Sequence, residues 1–218
     1  MKRGCLLLVL ILSTFIGSAS LTFRSIGTPV IGSTIITLTL YPIADAYVDS
    51  ASPNTNYGGE KNLYVSSNSE FNYTYVMFDL SSIPSDANII SANLSLYLAG
   101  TGGSIYGWPA DRIGVYYCSD SSWTESKITW NDRPSFDPTP TDTWSFSMIY
   151  SVRVYKSWNV TKDVRAAFPS GKLTEVVKFE AKTKYGYAVF SSREGSDKPQ
   201  LRVKFLSSSI AGDSFLLY

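Results

Sequence analysis

The chain of 218 residues carries 19 Lys and Arg against 18 Asp and Glu, a formal net charge of +1, and it contains no histidine. Its length suits one sizeable β domain or two small ones. The balanced charge excludes a basic surface for nucleic acid, and the absence of histidine excludes a Ser-His-Asp triad and a histidine-containing metal site. No cofactor and no metal ligand set is predicted.

Residues 1–20 are predicted to be a secretory signal peptide. Lys2 and Arg3 precede the apolar run CLLLVLILSTFIG, and small residues that suit cleavage follow it. The alternative is a single membrane anchor, for which the apolar run is short. Cleavage would remove Cys5 and leave Cys118 alone, so we expect a secreted chain without an intramolecular disulfide and a buried, unreactive Cys118 thiol.

Residues 21–36, LTFRSIGTPVIGSTII, form a predicted N-terminal tail that is rich in β-forming side chains. Pro29 cannot donate to a sheet ladder, so we expect bends within this tail. The first strand of the folded domain begins at Thr37, and the residues around it alternate between two faces. One face carries Ile36, Leu38 and Leu40, and the other carries Thr37, Thr39 and Tyr41.

Further short runs favour β-strands, and clusters of Gly, Pro, Asn and Ser separate them. One such run, SFSMIYSVRVYKSW, extends from Ser145 to Trp158. The exception is NVTKDVRAAF, which predicts one helical turn with Asn159 or Thr161 as its N-cap and FPSG at its end. The whole pattern predicts an all-β, antiparallel, jelly-roll-like β-sandwich over residues 37–205, with a C-terminal extension over residues 206–218.

Five segments in this order resemble the disaggregatase-related (DNRLRE) domain family. They are LTLYPIADAYVDSASPNTNYGGEKNLYVSS, YVMFDLSSIPSDANIISANLSLYL, SSWTESKITWNDRPSF, WNVTKDV and YGYAVFSSREGSDKPQLRVKF. The resemblance extends from about Thr37 to Phe205, and it implies a jelly-roll-like β-sandwich that is exported to the cell surface or the medium.

That family includes carbohydrate-binding modules attached to polysaccharide-active enzymes. We expect no attached catalytic region here, and the layout is similar to subunits of archaeal extracellular filaments called threads. The resemblance to threads implies that each subunit donates its N-terminal tail as a strand to the next subunit.

Paired carboxylates are the remaining catalytic option, and Glu125 in SSWTESKITW is the best single candidate. We favour the alternative, in which Glu125 accepts hydrogen bonds within a turn between two Trp anchors. The chain is therefore predicted not to be an enzyme.

Oxygen-bearing side chains gather in and beside the first turn, and they are those of Asp45, Asp49, Asn54 and Asn56. They could bind Ca²⁺, which prefers oxygen ligands, but Asn and Asp are also the usual residues of turns, and the structural role is favoured. Arg193 and Glu194 in SSREGSDKP are likewise expected to be structural, with Arg193 paired to the Asp45 carboxylate.

The tryptophans divide by context. Trp123 and Trp130 lie in a family motif and are predicted to be core residues. Trp108 and Trp144 lie in loop contexts rich in Gly or Pro, so they are the candidates for stacking on sugar rings.

Three sequons are candidate N-glycan sites: Asn72 in NYT, Asn93 in NLS and Asn159 in NVT. Asn93 lies on the polar face of an alternating strand, where a glycan is sterically possible. We expect at least two of the three to be modified in an organism with surface N-glycosylation.

The preferred function hypothesis is structural. The chain would be a secreted subunit of a cell-surface filament, a head-to-tail homopolymer joined by strand donation. The donated side chains would be Leu21, Phe23, Ile26, Val30, Ile31, Ile35 and Ile36. The alternative is a secreted carbohydrate-binding module with a polysaccharide partner, and the third hypothesis is a polysaccharide-active enzyme that uses Glu125.

Overall fold

The computed structural model describes residues 30–67, 70–103, 111–146, 152–180 and 186–211. The elements in these ranges are β1 (Val30–Leu40), β2 (Ala44–Asp49), β3 (Asn62–Ser67), β4 (Phe71–Asp79), β5 (Asn88–Gly103), β6 (Asp111–Cys118), β7 (Asp142–Phe146), β8 (Val154–Asn159), α1 (Thr161–Ala167), β9 (Lys172–Phe179), β10 (Gly186–Ser191) and β11 (Gln200–Ala211). Each strand pair within these ranges is antiparallel, which confirms the predicted all-β class.

The strands form one sheet that curls into two layers. In the first layer the strand order is β1, β11, β5, β10 and β3, and β8 also pairs with β5. In the second layer the strand order is β2, β4, β9, β6 and β7. The layers meet at a corner where β3 and β4 pair over only two residues each, at Ser66 with Asn72 and at Ser67 with Phe71. Residues of both layers share one buried cluster, so the architecture is the predicted sandwich.

Strand alternation places the main core between the layers. In β11, Leu201, Val203 and Phe205 are buried, whereas Arg202 and Lys204 are exposed. Each large apolar side chain that is fully buried contributes roughly 1.5–3 kcal/mol. The sandwich is therefore stabilised by this interior.

A second cluster lies on the outer face of the second layer, where the loop of residues 119–141 covers it. Its buried members are Ala46, Val48, Tyr75, Tyr116, Cys118, Ile128 and Val176. Trp123 and Trp130 of the loop pack against this cluster, which confirms their predicted core role. The Cys118 thiol is fully buried, and burial raises its pKa to about 11, so it is unreactive at neutral pH.

The predicted helical turn is α1, but its start differs from the expectation. The N-cap is Val160, which makes no side-chain capping bond, and the Asn159 side chain, one position earlier, accepts a hydrogen bond from the backbone N–H of Thr161 at 3.1 Å. A 3₁₀ turn over Phe168–Ser170 follows, and Gly171 ends it with a left-handed backbone, φ 74°. Glycine adopts this conformation without a steric penalty.

The run from Ser145 to Trp158 was predicted as one strand, and the structure divides it between β7 and β8. Arg153, just before β8, has a left-handed backbone with φ 63°, and its N–H donates to the Leu98 carbonyl oxygen at 2.6 Å. A positive φ is uncommon for a residue with a side chain, so strand periodicity does not reveal this break.

The predicted boundaries of the sandwich domain, between residues 36 and 37 and between residues 205 and 206, fall inside β1 and β11. These domain boundaries stay predictions. The predicted signal peptide, residues 1–20, and the tail as far as residue 29 lie outside the described residues. Within the described ranges, no helix has both the length and the apolar character needed to span a membrane.

Candidate functional site

A cleft of about 370 Å³ opens where β1 ends, β8 passes and the β10–β11 loop returns to the sheet. Its lining consists of Tyr41, Pro42, Tyr155, Arg193, Ser196, Lys198 and Gln200. Two tyrosine rings and a proline therefore face four polar or basic side chains. A concave surface of this mixed character suits a small polar ligand with apolar faces.

The two tyrosines of the cleft are held differently. Tyr41 follows β1 and is 55% exposed, so its ring is free to contact a ligand. Tyr155 of β8 is half-buried; its hydroxyl donates to the Lys198 carbonyl oxygen and accepts from Gln200 Nε2, both at 3.2 Å. Burial raises the pKa of Tyr155, so the phenol stays neutral and keeps its hydrogen-bonding proton.

The cleft continues into a polar outer face of the first layer. The alternation that buries Leu201 and Val203 directs Gln200, Arg202 and Lys204 outward along β11. Next to them, the hydroxyls of Ser95 on β5 and Ser157 on β8 lie 2.7 Å apart. This face offers many hydrogen-bonding groups on a rigid sheet.

The wall of the cleft at Arg193 is fixed by a network that joins three distant segments. The Asp45 carboxylate in β2 accepts a hydrogen bond from the backbone N–H of Arg193 at 2.8 Å, and Glu125 Oε1 accepts one from the backbone N–H of Asp45 at 2.8 Å. The Arg193 guanidinium is 2.9 Å from Glu125 Oε2 and 3.7 Å from Glu194 Oε1. The expected side-chain pair of Arg193 with Asp45 is thus corrected: the guanidinium pairs with Glu125, and Asp45 accepts from the backbone.

Asp45 is the buried member of this network, with 1% of its surface exposed. Burial raises its pKa to about 8, which the hydrogen bond from the Arg193 backbone opposes and the charges of Glu194 and Glu125 reinforce. Glu194 is held at its other oxygen, where Oε2 accepts from the Ser192 hydroxyl at 3.0 Å. The predicted loop residues Asp45, Arg193 and Glu194 therefore lie together beside the cleft.

Asn54 and Asn56, the other predicted loop residues, hold the segment that carries Glu125. Asn56 Nδ2 donates to the backbone carbonyl oxygens of Glu125 and Ile128, both at 2.7 Å. Asn54 Oδ1 accepts from Asn131 Nδ2 at 2.8 Å. Both asparagines thus connect the first turn to the loop that covers the second cluster.

Glu125 does not have the surroundings of a catalytic acid. Both of its oxygens take part in hydrogen bonds, to the Asp45 backbone and to the Arg193 guanidinium. The paired carboxyls elsewhere in the described ranges, Asp163 and Glu175, are buried inside the sandwich and do not line the cleft.

Trp144, one of the two predicted sugar-stacking tryptophans, does not line the cleft. Trp144 lies on β7, packs against the main core and is covered by Lys156, whose Nζ is 4.6 Å from the ring centroid. Trp108 lies outside the described residues. The aromatic lining comes instead from Tyr41 and Tyr155, and the sequence carried a signal for Tyr41, which alternates onto the polar face of the first strand.

The three sequons lie on or near strands. Asn93 on β5 and Asn159 on β8 are both exposed and pair directly across the two strands. Asn72 on β4 is partly buried, and its Oδ1 accepts from the Ser66 hydroxyl at 2.9 Å. Glycosylation at these positions stays a prediction.

The predicted donor residues divide between described and undescribed parts of the chain. Leu21, Phe23 and Ile26 lie outside the described residues. Val30 and Ile31 belong to β1, which pairs with β11 of the same chain from Val30 opposite Ala211 to Leu40 opposite Leu201. On β1, Ile35 is 56% exposed and Ile36 is 38% exposed.

A family model described as carbohydrate-binding module family 96 matches residues 36–205, which is most of the chain and includes the cleft and the Asp45 network. A search of curated proteins finds no match to the sequence.

Proposed function

We propose a polysaccharide-binding role from one premise: the chain belongs to carbohydrate-binding module family 96. The observation that supports this role in the molecule itself is the cleft between Tyr41 and Tyr155. A sugar ring presents apolar C–H faces and a rim of hydroxyls, so it matches a site with aromatic walls and a few polar groups.

The residues of the cleft have complementary roles in this proposal. The exposed ring of Tyr41 packs against a face of the sugar, and Tyr155 supplies a second aromatic wall that Lys198 and Gln200 hold in place. Arg193, Lys198 and Ser196 offer donors to hydroxyl or carboxylate oxygens.

Affinity electrophoresis of the full chain in gels that contain soluble polysaccharides tests the proposal. The panel includes neutral and uronic-acid polymers, since the cleft has both hydroxyl and cationic donors. We expect retardation in at least one gel and its loss in Tyr41→Ala. Tyr187→Ala is the matched control, because Tyr187 is a 41% exposed tyrosine outside the cleft lining. No retardation in any gel would refute the proposal.

The module is proposed to be non-catalytic. Glu125, the best sequence candidate for an acid, is engaged by the Asp45 backbone and the Arg193 guanidinium, which favours a structural role. Prolonged incubation with a polysaccharide that it binds should release no new reducing ends. Release that Glu125→Gln abolishes would establish the enzyme hypothesis instead.

A second role, assembly of copies into an exported filament, is favoured by the shape of the β1–β11 pair. β5 pairs with β11 only from Gln200 to Leu206, whereas β1 pairs with β11 as far as Ala211. The end of this pair is therefore a two-stranded ribbon, which is marginally stable alone. Exchange of β1 between copies would retain every backbone pair and link subunits head to tail.

Deletion of residues 21–33 tests this second role. We expect polymers, seen by electron microscopy of material shed from the producing cell, to disappear while export continues. Retained polysaccharide binding by the deletion variant is the control for folding. Unchanged filaments would refute strand exchange. We also propose that the chain is secreted and carries N-glycans at Asn93 and Asn159. The mass of the protein shed from the cell tests both points, because cleavage of residues 1–20 lowers the mass and each glycan raises it.

A further inference from the structure

Three carboxylates from separate parts of the chain converge beside the cleft. Asp45 comes from β2, Glu125 from the β6–β7 loop and Glu194 from the β10–β11 loop. One oxygen from each lies within 4.8 Å of the others. Like charges at such separations repel one another, and a positive ion among the ionised carboxylates relieves that repulsion.

Arg193 compensates only part of that charge. Its guanidinium is 2.9 Å from Glu125 and 3.7 Å from Glu194, and both contacts are partly exposed to solvent. When all three carboxyls are ionised, three negative charges face this one positive charge from Arg193. The four groups together then carry two net negative charges, which one divalent cation neutralises.

The burial of the Asp45 carboxylate is evidence for a cation site that does not depend on the charge count. Its side chain is 99% buried, since only 1% of the residue is exposed. Oδ2 accepts from the Arg193 backbone, but Oδ1 is buried and accepts no hydrogen bond from the described residues. A buried carboxylate oxygen without a partner is costly, so this oxygen is available as a ligand for a cation.

We propose that Asp45, Glu125 and Glu194 bind one Ca²⁺ ion. The three ligands are hard carboxylate oxygens, which suit Ca²⁺ and not the metals that select imidazole or thiolate. Mg²⁺ demands near-ideal octahedral geometry and gives up its waters reluctantly, so it is usually bound through one or two carboxylates. Three carboxylates from separate parts of the chain therefore suit Ca²⁺ better.

The ion has a route to the site and a structural consequence. Glu194 is exposed and Glu125 is partly exposed, so the cluster opens to solvent on the side away from Asp45. Bound Ca²⁺ ties the β10–β11 loop to β2 and to the β6–β7 loop. The β10–β11 loop carries Arg193, Ser196 and Lys198, so the ion fixes one wall of the cleft, whatever ligand the cleft binds.

Isothermal titration of the chelator-treated full chain with CaCl₂, and separately with MgCl₂, tests the proposal. We expect one Ca²⁺ per chain with a Kd within the range of about 10⁻⁷–10⁻³ M that protein calcium sites cover. Mg²⁺ should bind at least tenfold more weakly. Ca²⁺ should also raise the melting temperature of the wild-type chain.

Asp45→Asn, which keeps the shape of the side chain, should weaken Ca²⁺ binding at least tenfold and remove the thermal shift. Glu194→Gln changes an exposed residue, so it folds even if the buried substitution does not, and the same weakening is expected. Glu70→Gln, an exposed carboxylate outside the cluster, should bind as the wild type does. The proposal would be overturned if the chain bound no Ca²⁺ up to about 10 mM, a concentration above the Kd of the weakest calcium modules. Equal affinity for Mg²⁺, or wild-type affinity for Ca²⁺ in Glu194→Gln, would also overturn it.

Discussion

Glu175→Gln should change how the stability of the sandwich depends on pH. Glu175 on β9 pairs with Val76 of β4 and Tyr117 of β6, so its side chain lies in the interior, where none of its surface is exposed. Burial, and then the charge of the neighbouring Asp163, raises its pKa well above the ordinary value of 4.5. The charge of Asp137 acts in the same direction.

The sign and size of the effect follow from proton linkage. Above about pH 4.5 the unfolded chain loses the Glu175 proton, whereas the folded chain keeps it up to the raised pKa. Stability is therefore fully present below pH 4.5 and declines as pH rises, by about 1.4 kcal/mol per pH unit for one proton. Asp163, whose pKa is also raised by burial, contributes a slope of the same sign.

Urea denaturation between pH 5.5 and 6.5 measures this slope. Glutamine has no proton to release, so Glu175→Gln should lose less stability over that interval than the wild type does, by at most about 1.4 kcal/mol. The exposed Glu70→Gln is the control and should retain the wild-type slope. Equal slopes in the wild type and Glu175→Gln would refute the assignment of a protonated Glu175 in the folded interior.

Two further predictions concern packing. A Cβ at Gly58 would clash with the backbone carbonyl of Glu125, so Gly58→Ala should cost about 1–3 kcal/mol of unfolding free energy. Gly59→Ala is the control and should cost much less, because nothing lies within 4 Å of its Cβ position. Equal melting temperatures for the two variants would contradict this packing. Trp158 is fully buried, and its Nε1 donates to the Ile113 carbonyl oxygen at 3.0 Å. Trp158→Ala should therefore lower the free energy of unfolding, measured by urea denaturation, by about 3–5 kcal/mol. A loss below about 1 kcal/mol would place the residue outside the core.

Strand alternation was sufficient to predict the sandwich and the orientation of many side chains. The run QLRVKF alternates as β11 does, with Leu201 and Val203 inside and Arg202 outside. The alternation before Pro42 also directed Tyr41 to the polar face, where it reaches the cleft. These features are local, because the side-chain period of a strand is set by its own backbone.

The site itself depends on contacts that local patterns do not encode. The Arg193 backbone reaches the Asp45 carboxylate over 148 positions of sequence, and the Asp45 backbone reaches Glu125 over 80. The sequence predicts a bond between the Arg193 and Asp45 side chains because their charges are opposite, and it does not show that the Arg193 backbone N–H is the donor. Trp144 was likewise assigned to a loop, although its pairing partner Ile113 on β6 makes it part of a strand.

Calorimetric titration of the chain with the polysaccharide that retards it measures whether the cleft binds sugar. Tyr41 is exposed and lines the cleft, so Tyr41→Ala leaves the core intact and removes only an aromatic wall. We expect an affinity at least tenfold lower for Tyr41→Ala and an unchanged affinity for Tyr187→Ala. Wild-type affinity in Tyr41→Ala, or no heat of binding in the wild type, would refute sugar binding at the cleft.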